Sequence, residues 1–201
     1  MKRTLGFMLA ALLLVAAFAI LPIHGEEEIY DSVIRLHVLA NSDSEGDQAL
    51  KLKVRDAVLE ETGALLREAS TREEAEAVLE ANIEKIRTVA EDTVRKNGSK
   101  DVVAVSLGEE DYPTRVYEDL AFPAGEYLSL RVMIGEAAGQ NWWCVLFPPL
   151  CLSAATTKAE AEETFLAAGL SEEQYRIITD SDNTKYRLRF KILEVAEQLF
   201  D

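Results

Sequence analysis

The feature that most constrains the fold of this chain is a change of hydrophobic period along its length. Residues 32–40 and 127–134 alternate apolar and polar side chains, which is typical of half-buried strands. Between them, apolar residues recur at helical spacing over residues 45–67, and again from a cap at Ser70 or Thr71 to Asn97. These periods predict a single α+β domain, in which a small, mostly antiparallel sheet packs against a helix pair and C-terminal helices.

Shorter patterns complete this predicted domain. Residues 102–107, 114–118 and 141–147 indicate further strands, while residues 108–113 have the composition of a turn. Helical spacing returns after the last of these strands and continues to a final amphipathic pattern over residues 186–200. The chain is therefore expected to end in helices that cover the sheet.

The first 25 residues have the order of an export signal. Two basic residues precede an uncharged apolar run from Leu5 to Leu21, and residues 22–25 break this run before the acidic part of the chain. Because the run is at the lower edge of what can span a bilayer, a cleaved signal peptide and a retained membrane anchor both stay open. Either alternative predicts a targeting segment at residues 1–25 and an extracytoplasmic domain at residues 26–201.

The charge of the chain argues against one class of partner. The sequence has 36 acidic and 21 basic residues, which gives a formal net charge of −15. A surface with this charge is repelled by phosphate backbones and by anionic lipid head groups. We therefore expect no nucleic-acid binding.

The two cysteines, Cys144 and Cys151, are interpreted in the light of the predicted export. An even number of cysteines in an oxidising compartment favours a disulfide over free thiols. The spacing is compatible with a small closed loop, and two ordinary buried thiols remain the alternative. The sequence thus offers Cys144–Cys151 as a candidate disulfide.

A thiol hydrolase is the alternative function that the residue types allow. Cys144 could act as the nucleophile with His37 as its base, oriented by Asn41 or Asp43. However, His37 is the sole histidine after the export signal, so nothing else in the sequence supports this pairing. We predict no catalytic set, and we keep the extracytoplasmic hydrolase as the alternative.

A metal site receives less support from the sequence. Asn41, Asp43 and Glu45 imitate the first ligand positions of a calcium-binding loop, but the position that requires a glutamate holds Leu52. Carboxylates at this place more simply stabilise a helix N-terminus, where Ser44 fits the cap. No metal and no cofactor are therefore predicted.

One segment, residues 141–151, concentrates the unusual residues of the chain. It holds both tryptophans, both cysteines and two of the five prolines. The sequence predicts a rigid apolar loop stapled at its ends, which either binds a partner or fills the core. The candidate binding residues are Asn141, Trp142, Trp143, Phe147, Pro148 and Pro149.

Several blocks of this sequence resemble the family of stage II sporulation protein R. Residues 34–44, IRLHVLANSDS, and residues 47–56, DQALKLKVRD, resemble the opening of that family. The stretches YPTR at residues 112–115, PAGEY at 123–127 and the whole of 141–151 resemble it further along, in the same order. Within the first block, the junction from strand to helix contains His37, Asn41, Ser42 and Asp43.

The resemblance implies a secreted intercellular signal of endospore-forming bacteria and not an enzyme. It implies that the forespore exports the protein into the space between the two membranes of the sporulating cell. The expected partner there is a membrane-embedded aspartic protease, stage II sporulation protein GA, which removes the inhibitory pro-sequence of sigma-E once it is activated. Residues 153–201 match the family more loosely, and nothing is carried over to them.

Overall fold

A four-stranded sheet organises the chain, which the computed structural model describes over residues 29–117, 120–149 and 158–179. The sheet strands are β1 (Ile34–Leu39), β2 (Val103–Tyr112), β5 (Gly125–Ile134) and β6 (Asn141–Phe147), and a separate two-stranded ribbon consists of β3 (Arg115–Tyr117) and β4 (Leu120–Phe122). The strands of the sheet follow the order β2-β5-β1-β6. β1 is parallel to β5, whereas the other pairs are antiparallel.

The helices fall into two groups along the chain. Between β1 and β2 lie α1 (Glu45–Leu65), a 3-10 turn (Leu66–Glu68), α2 (Arg72–Ala81) and α3 (Ile83–Lys96), and after β6 lie α4 (Lys158–Ala167) and α5 (Glu172–Thr179). This arrangement confirms the predicted α+β fold with a mostly antiparallel sheet. The predicted signal or anchor at residues 1–25 and the predicted helix at residues 186–200 lie outside the described residues.

Apolar side chains cover both faces of the sheet. On one face, Leu36 and Val38 of β1 belong to the same buried cluster as Val54 of α1 and Ile86 of α3. We call this the helix face. On the other face, a second cluster contains Tyr112, Tyr127, Phe122, Phe165 and Ile178. We call this the aromatic face.

Two predicted boundaries were wrong. Residues 108–112, predicted as a turn, continue β2 and pair with residues 125–129 of β5. The sequence pattern concealed this extension because most of these residues are exposed and polar. The helix predicted to reach Asn97 without interruption is divided at Asn82, whose side-chain amide donates a hydrogen bond to the carbonyl oxygen of Val78.

The described residues contain no helix with the length and hydropathy that crossing a bilayer requires. Their longest helix, α1, is amphipathic and packs on the sheet. The apolar run at residues 5–21, on which the anchor prediction rests, is not among them.

A buried arginine holds the aromatic face together. Arg35 of β1 is fully buried, and its guanidinium carbon lies 4.5 Å from the ring centroid of Tyr112 and 5.0 Å from that of Tyr127. The rings of Phe122 and Tyr117 lie 5.1 and 5.7 Å away. Desolvation of a cation costs several kcal/mol, and the ring faces offset part of that cost.

Two directed hydrogen bonds hold this guanidinium through Nε and Nη2, whereas the buried Nη1 atom has no hydrogen-bond partner among the described residues. Nε of Arg35 donates to the carbonyl oxygen of Cys144 at 3.2 Å, and Nη2 donates to the hydroxyl oxygen of Tyr117 at 2.8 Å. Burial raises the pKa of Tyr112 and of Tyr117 above the ordinary tyrosine value, so both hydroxyls stay neutral beside the cation. Arg35 thereby connects β1 to β6 and to the β3–β4 ribbon.

Replacement of this arginine is expected to destabilise the whole domain. Arg35→Ala should lower the free energy of unfolding by about 3 kcal/mol, because it removes the cation–π contacts and leaves a cavity among aromatic rings. Arg35→Lys should fall between the wild type and the alanine variant, since lysine keeps the charge without the planar fork. Urea denaturation measures both, with Arg87→Ala on the exposed face of α3 as the control. Equal losses in the Arg35→Ala and Arg87→Ala variants would contradict this account.

Candidate functional site

The candidate partner-binding segment is a strand rather than a loop over most of its length. Residues 141–147 form β6, which pairs antiparallel with β1 and is an edge strand of the described sheet. This corrects the predicted loop and agrees with the strand pattern of the same residues. β6 ends at Phe147, because Pro148 has no backbone N–H and cannot continue the hydrogen bonding of a strand.

The two tryptophans point to opposite faces of the sheet. Trp143 pairs with His37 and lies on the aromatic face, where the centroids of the two rings are 5.2 Å apart. The guanidinium carbon of Arg115 lies 3.7 Å from the centroid of the Trp143 ring. Trp143 is therefore held between a histidine and an arginine, and its environment is mainly structural.

Trp142 occupies a more accessible position on the helix face. It pairs with Val38, and the guanidinium carbon of Arg55 in α1 lies 4.2 Å from the centroid of its ring. Arg55 also forms a salt bridge with its neighbour Asp56. The Trp142 side chain is 38% exposed, so that it is available to a partner.

The end of the segment is divided between core and surface. Phe147 and Pro148 are buried, whereas Pro149 is exposed. Phe147 and Pro149 also line a cavity of about 290 Å³ beside the C-terminal end of α1. Asn141 is exposed at the other end of the strand, opposite Leu39.

His37 belongs to a polar cluster on the aromatic face. It is 5% exposed, and its Nδ1 lies 2.9 Å from Oε1 of Glu110. The Nε atom of Arg131 lies 3.1 Å from the same carboxylate oxygen. Glu110 therefore connects β1, β2 and β5 across this face.

The predicted pair of Cys144 and His37 does not form. Cys144 pairs with Leu36 and belongs to the buried cluster of the helix face, whereas His37 contacts Trp143 on the aromatic face. The sheet separates the thiol from the imidazole, and Asn41 and Asp43 have other hydrogen-bond partners. The geometry therefore contradicts the nucleophile–base arrangement on which the hydrolase alternative depends. The Cys144–Cys151 disulfide stays a prediction, because Cys151 lies outside the described residues.

Asn41 joins the junction after β1 to the turn between β5 and β6. Its Oδ1 accepts a hydrogen bond from the backbone N–H of Glu136 at 2.9 Å, and its Nδ2 donates to Asp47 at 3.0 Å. Gly135 has a φ of 58°, and a Cβ at that position would lie 2.2 Å from the Asn41 Oδ1 atom. A glycine is required there because the left-handed backbone and the amide of Asn41 leave no space for a side chain.

Ser42 and Asp43 extend the same network. The Ser42 hydroxyl donates a hydrogen bond to Oδ2 of Asp47 at 2.5 Å. The backbone carbonyl oxygen of Ser42 accepts one from Nε2 of Gln48 at 2.9 Å. Oδ1 of Asp43 accepts from the backbone N–H of Gln140 at 2.7 Å. These contacts show that the junction is a structural clasp between two loops.

This clasp also explains the residues that imitate a calcium loop. The carboxylates of Asp43 and Asp47 accept hydrogen bonds from Gln140, Ser42 and Asn41. Over residues 29–117, 120–149 and 158–179, no group of three or more histidine, cysteine or acidic side chains is arranged to hold a metal ion. Ser44 caps α1 as predicted, since its hydroxyl oxygen accepts from the backbone N–H of Asp47 at 3.1 Å.

Comparison with known proteins identifies the class of protein to which this arrangement belongs. The sequence matches the family described as Stage II sporulation protein R over residues 30–157, which is more than half of the chain. The chain therefore belongs to the stage II sporulation protein R family, and that membership supports a role in sporulation.

A curated relative agrees with this assignment. The chain is 42% identical over 123 residues to the stage II sporulation protein R of Bacillus subtilis (strain 168). The alignment covers 61% of this chain and 55% of the relative, so it spans about half the length of that protein. No solved structure matches the chain.

Several residues of the site were missed in the sequence. Four residues were not singled out: Arg55, Glu110, Arg115 and Arg131. Arg55 stacks on Trp142 and Arg115 stacks on Trp143. Glu110 contacts His37, and Arg131 contacts the carboxylate of Glu110. Arg55 and Arg115 lie within the blocks DQALKLKVRD and YPTR that carry the family resemblance, which is the one signal that could have identified them. Glu110 and Arg131 lie on strands whose pairing no local pattern reveals.

The cap of α1 gives a direct test of the clasp. Ser44→Ala should lower the free energy of unfolding by about 1 kcal/mol, because the N-terminal N–H of Asp47 loses its acceptor. Ser44→Asp should retain most of the stability, since aspartate is an equally good cap. Thermal or urea unfolding measures the difference. If Ser44→Ala unfolds like the wild type but fails to support sporulation, the junction is a contact surface instead.

The clasp should also make stability depend on pH. Hydrogen bonds from Ser42 and then from Asn41 hold the pKa of Asp47 below its ordinary value of 3.8. A lowered pKa in the folded state stabilises the protein above the ordinary value, and this stabilisation is lost as the pH falls through the folded value. The stability difference between the wild type and Asp47→Asn should therefore narrow between pH 5 and pH 2, as followed by urea denaturation. A difference that stays constant over this range would contradict the prediction.

Proposed function

We propose that this protein is an exported sporulation signal that works by contact and not by catalysis. In this proposal it binds a membrane-embedded aspartic protease, stage II sporulation protein GA, and thereby promotes removal of the pro-sequence of sigma-E. Family membership and the resemblance of residues 34–44, 47–56, 112–115, 123–127 and 141–151 support this assignment.

The observation that carries a binding function is the exposed Trp142 with the partly buried Arg55 stacked on it. Tryptophan and arginine are the residue types most enriched among those that dominate binding energy at interfaces. Here they lie together at an edge of the described sheet, with their stacking already formed. A surface that is ordered before binding loses less entropy when a partner arrives.

A contact signal acts through the conformations of its partner. The protein would activate the protease by binding its active conformation more tightly than its inactive one. A preference of about 2.7 kcal/mol, which is a hundredfold ratio of affinities, is enough to change an equilibrium of 1:10 into one of 10:1. Contacts of two or three well-packed residues can supply such a preference.

The proposed location follows from the same assignment. The apolar segment at residues 5–21 would direct the chain out of the forespore into the space between the membranes, either as a cleaved signal or as a retained anchor. The Cys144–Cys151 disulfide would suit that oxidising compartment. Mass spectrometry of the exported protein without reductant tests both the signal cleavage and the cross-link.

The decisive experiment reconstitutes the pathway with the full chain. This protein, the protease and the sigma-E precursor are expressed together, and processing of the precursor is followed by immunoblot. Processing that requires this protein supports the proposal. Processing that occurs equally without it would refute the proposal.

The two tryptophans should respond differently in this system. Trp142→Ala should keep the melting temperature nearly unchanged and reduce activation about thirtyfold, which corresponds to about 2 kcal/mol of lost contact energy. Trp143→Ala should instead lower the stability by about 3 kcal/mol, because Trp143 packs between His37 and Arg115. The exposed Val102, which lies before β2, provides a control as Val102→Ala. A folded Trp142→Ala protein with normal activation would rule out this surface.

A further inference from the structure

α1 and β6 lie side by side at the edge of the sheet, and a cavity opens between the last turn of α1 and the end of β6; we call this opening the groove. At one end, Arg55 of α1 stacks on Trp142 of β6. At the other end, Leu66, directly after α1, and Phe147 of β6 line the same cavity. Arg55, earlier in the chain than Leu66, lies beside Trp142, which is earlier than Phe147. α1 and β6 therefore run side by side in the same direction.

The dimensions of the two walls agree. From residue 55 to residue 66 the helical rise is about 16.5 Å at 1.5 Å per residue. From residue 142 to residue 147 the strand rise is also about 16.5 Å at 3.3 Å per residue. The two elements therefore stay side by side from the Arg55–Trp142 contact to the cavity at their ends.

The walls of the cavity are almost entirely uncharged. The helix side is formed by Leu59, Thr62, Gly63 and Leu66, and the strand side by Leu146, Phe147 and Pro149. Its volume of about 290 Å³ is at the lower limit of small-molecule pockets, and a few apolar side chains fill a space of this size. The cavity therefore suits side chains of a polypeptide better than a cofactor.

One charge stands at the rim of this cavity. Arg67 is the sole charged residue among the described residues that line it, and no described carboxylate does so. Arg67 is exposed and forms none of the salt bridges found among the described residues. In a chain with a net charge of −15, this is a local positive site, and it complements a carboxylate on whatever binds there.

We propose that the groove between α1 and β6 binds an apolar segment of the activated protease, and that a carboxylate of this segment meets Arg67. Trp142 and Arg55 would form one end of the contact and the cavity at Gly63 the other. The inference rests on the proposed function, because it identifies the surface and the chemistry through which that function operates.

Gly63 allows this surface to be blocked without damaging the fold. A Cβ added at Gly63 meets no atom within 4 Å, and Gly63 lies in the interior of α1. Gly63→Leu therefore places a side chain into the cavity while improving the helix propensity of its position. Gly46 is the matched control, since it also lies in α1 and a Cβ there also meets nothing within 4 Å.

The expected result is a separation of stability from activity. Gly63→Leu should melt at or above the temperature of the wild type, yet activate the protease at least tenfold less in the reconstituted processing assay. Gly46→Leu should activate normally. If the wild type itself fails to activate, the proposed function is wrong; if the wild type and folded Gly63→Leu activate equally, the groove inference is wrong and the function stands.

Arg67 tests the chemistry of the bound segment. Arg67→Glu should reduce co-purification with the protease in detergent micelles at least tenfold, and Arg67→Lys should restore part of it because the positive charge returns. Arg87→Glu, an exposed arginine on α3, should have no such effect. Equal losses for Arg67→Glu and Arg87→Glu would show that total charge and not this site matters, and would overturn the inference.

Two other occupants of the groove would also overturn it. A second copy of this chain would make the wild type dimeric in sedimentation and Gly63→Leu monomeric. A lipid surface would make flotation with phosphatidylglycerol vesicles weaker for Gly63→Leu than for the wild type. A monomeric wild type whose flotation Gly63→Leu does not change, together with co-purification that Gly63→Leu abolishes, is the result expected.

Discussion

The buried guanidinium of Arg35 is the interaction on which the rest of this structure depends. A desolvated cation is costly, and among the described residues aromatic rings from β2, β3, β4 and β5 surround it where no carboxylate pairs with it. Its hydrogen bond to the Cys144 carbonyl oxygen also fixes the backbone of β6. Because these groups come from most of the chain, the sheet and the ribbon must assemble together for the cation to be accommodated.

This requirement places β1 at the centre of the fold and β6 beside it at an edge. Apolar residues of β1 face the helices, while Arg35 and His37 face the aromatic cluster, so neither face of β1 is available for binding. The clasp formed by Asn41 and Asp43 then connects the end of β1 to the turn before β6. The position of the two tryptophans thus follows from contacts that are made elsewhere in the chain.

Local patterns in the sequence predicted the helices and strands better than they predicted how the strands pair and which faces their residues share. The strand at residues 127–134, the cap at Ser44 and the α+β class were confirmed. The half-buried character predicted for this strand and for residues 32–40 was wrong, because clusters on both sides of the sheet bury both faces of β1 and most of β5. The extension of β2 through residues 108–112 was missed, since cross-strand hydrogen bonds to β5 outweigh an unfavourable composition. The pairing of Cys144 with His37 failed for a similar reason: residue types suggested chemistry, whereas strand register put them on opposite faces.

The arginines explain how a strongly acidic chain can still present a selective surface. Arg35, Arg55 and Arg115 each stack on aromatic rings, so these three positive charges are held in fixed places, whereas acidic residues are spread over the helices and β2. The net negative charge of the chain acts over long distances and affects the rate at which a partner approaches. The strength of a contact depends instead on charges within a few ångströms, where screening by salt is weak. At the cavity between the ends of α1 and β6, the lining is apolar and Arg67 at its rim is opposite in sign to the net charge of the chain. A partner must therefore satisfy both, and this double condition gives a specificity that net charge alone cannot provide.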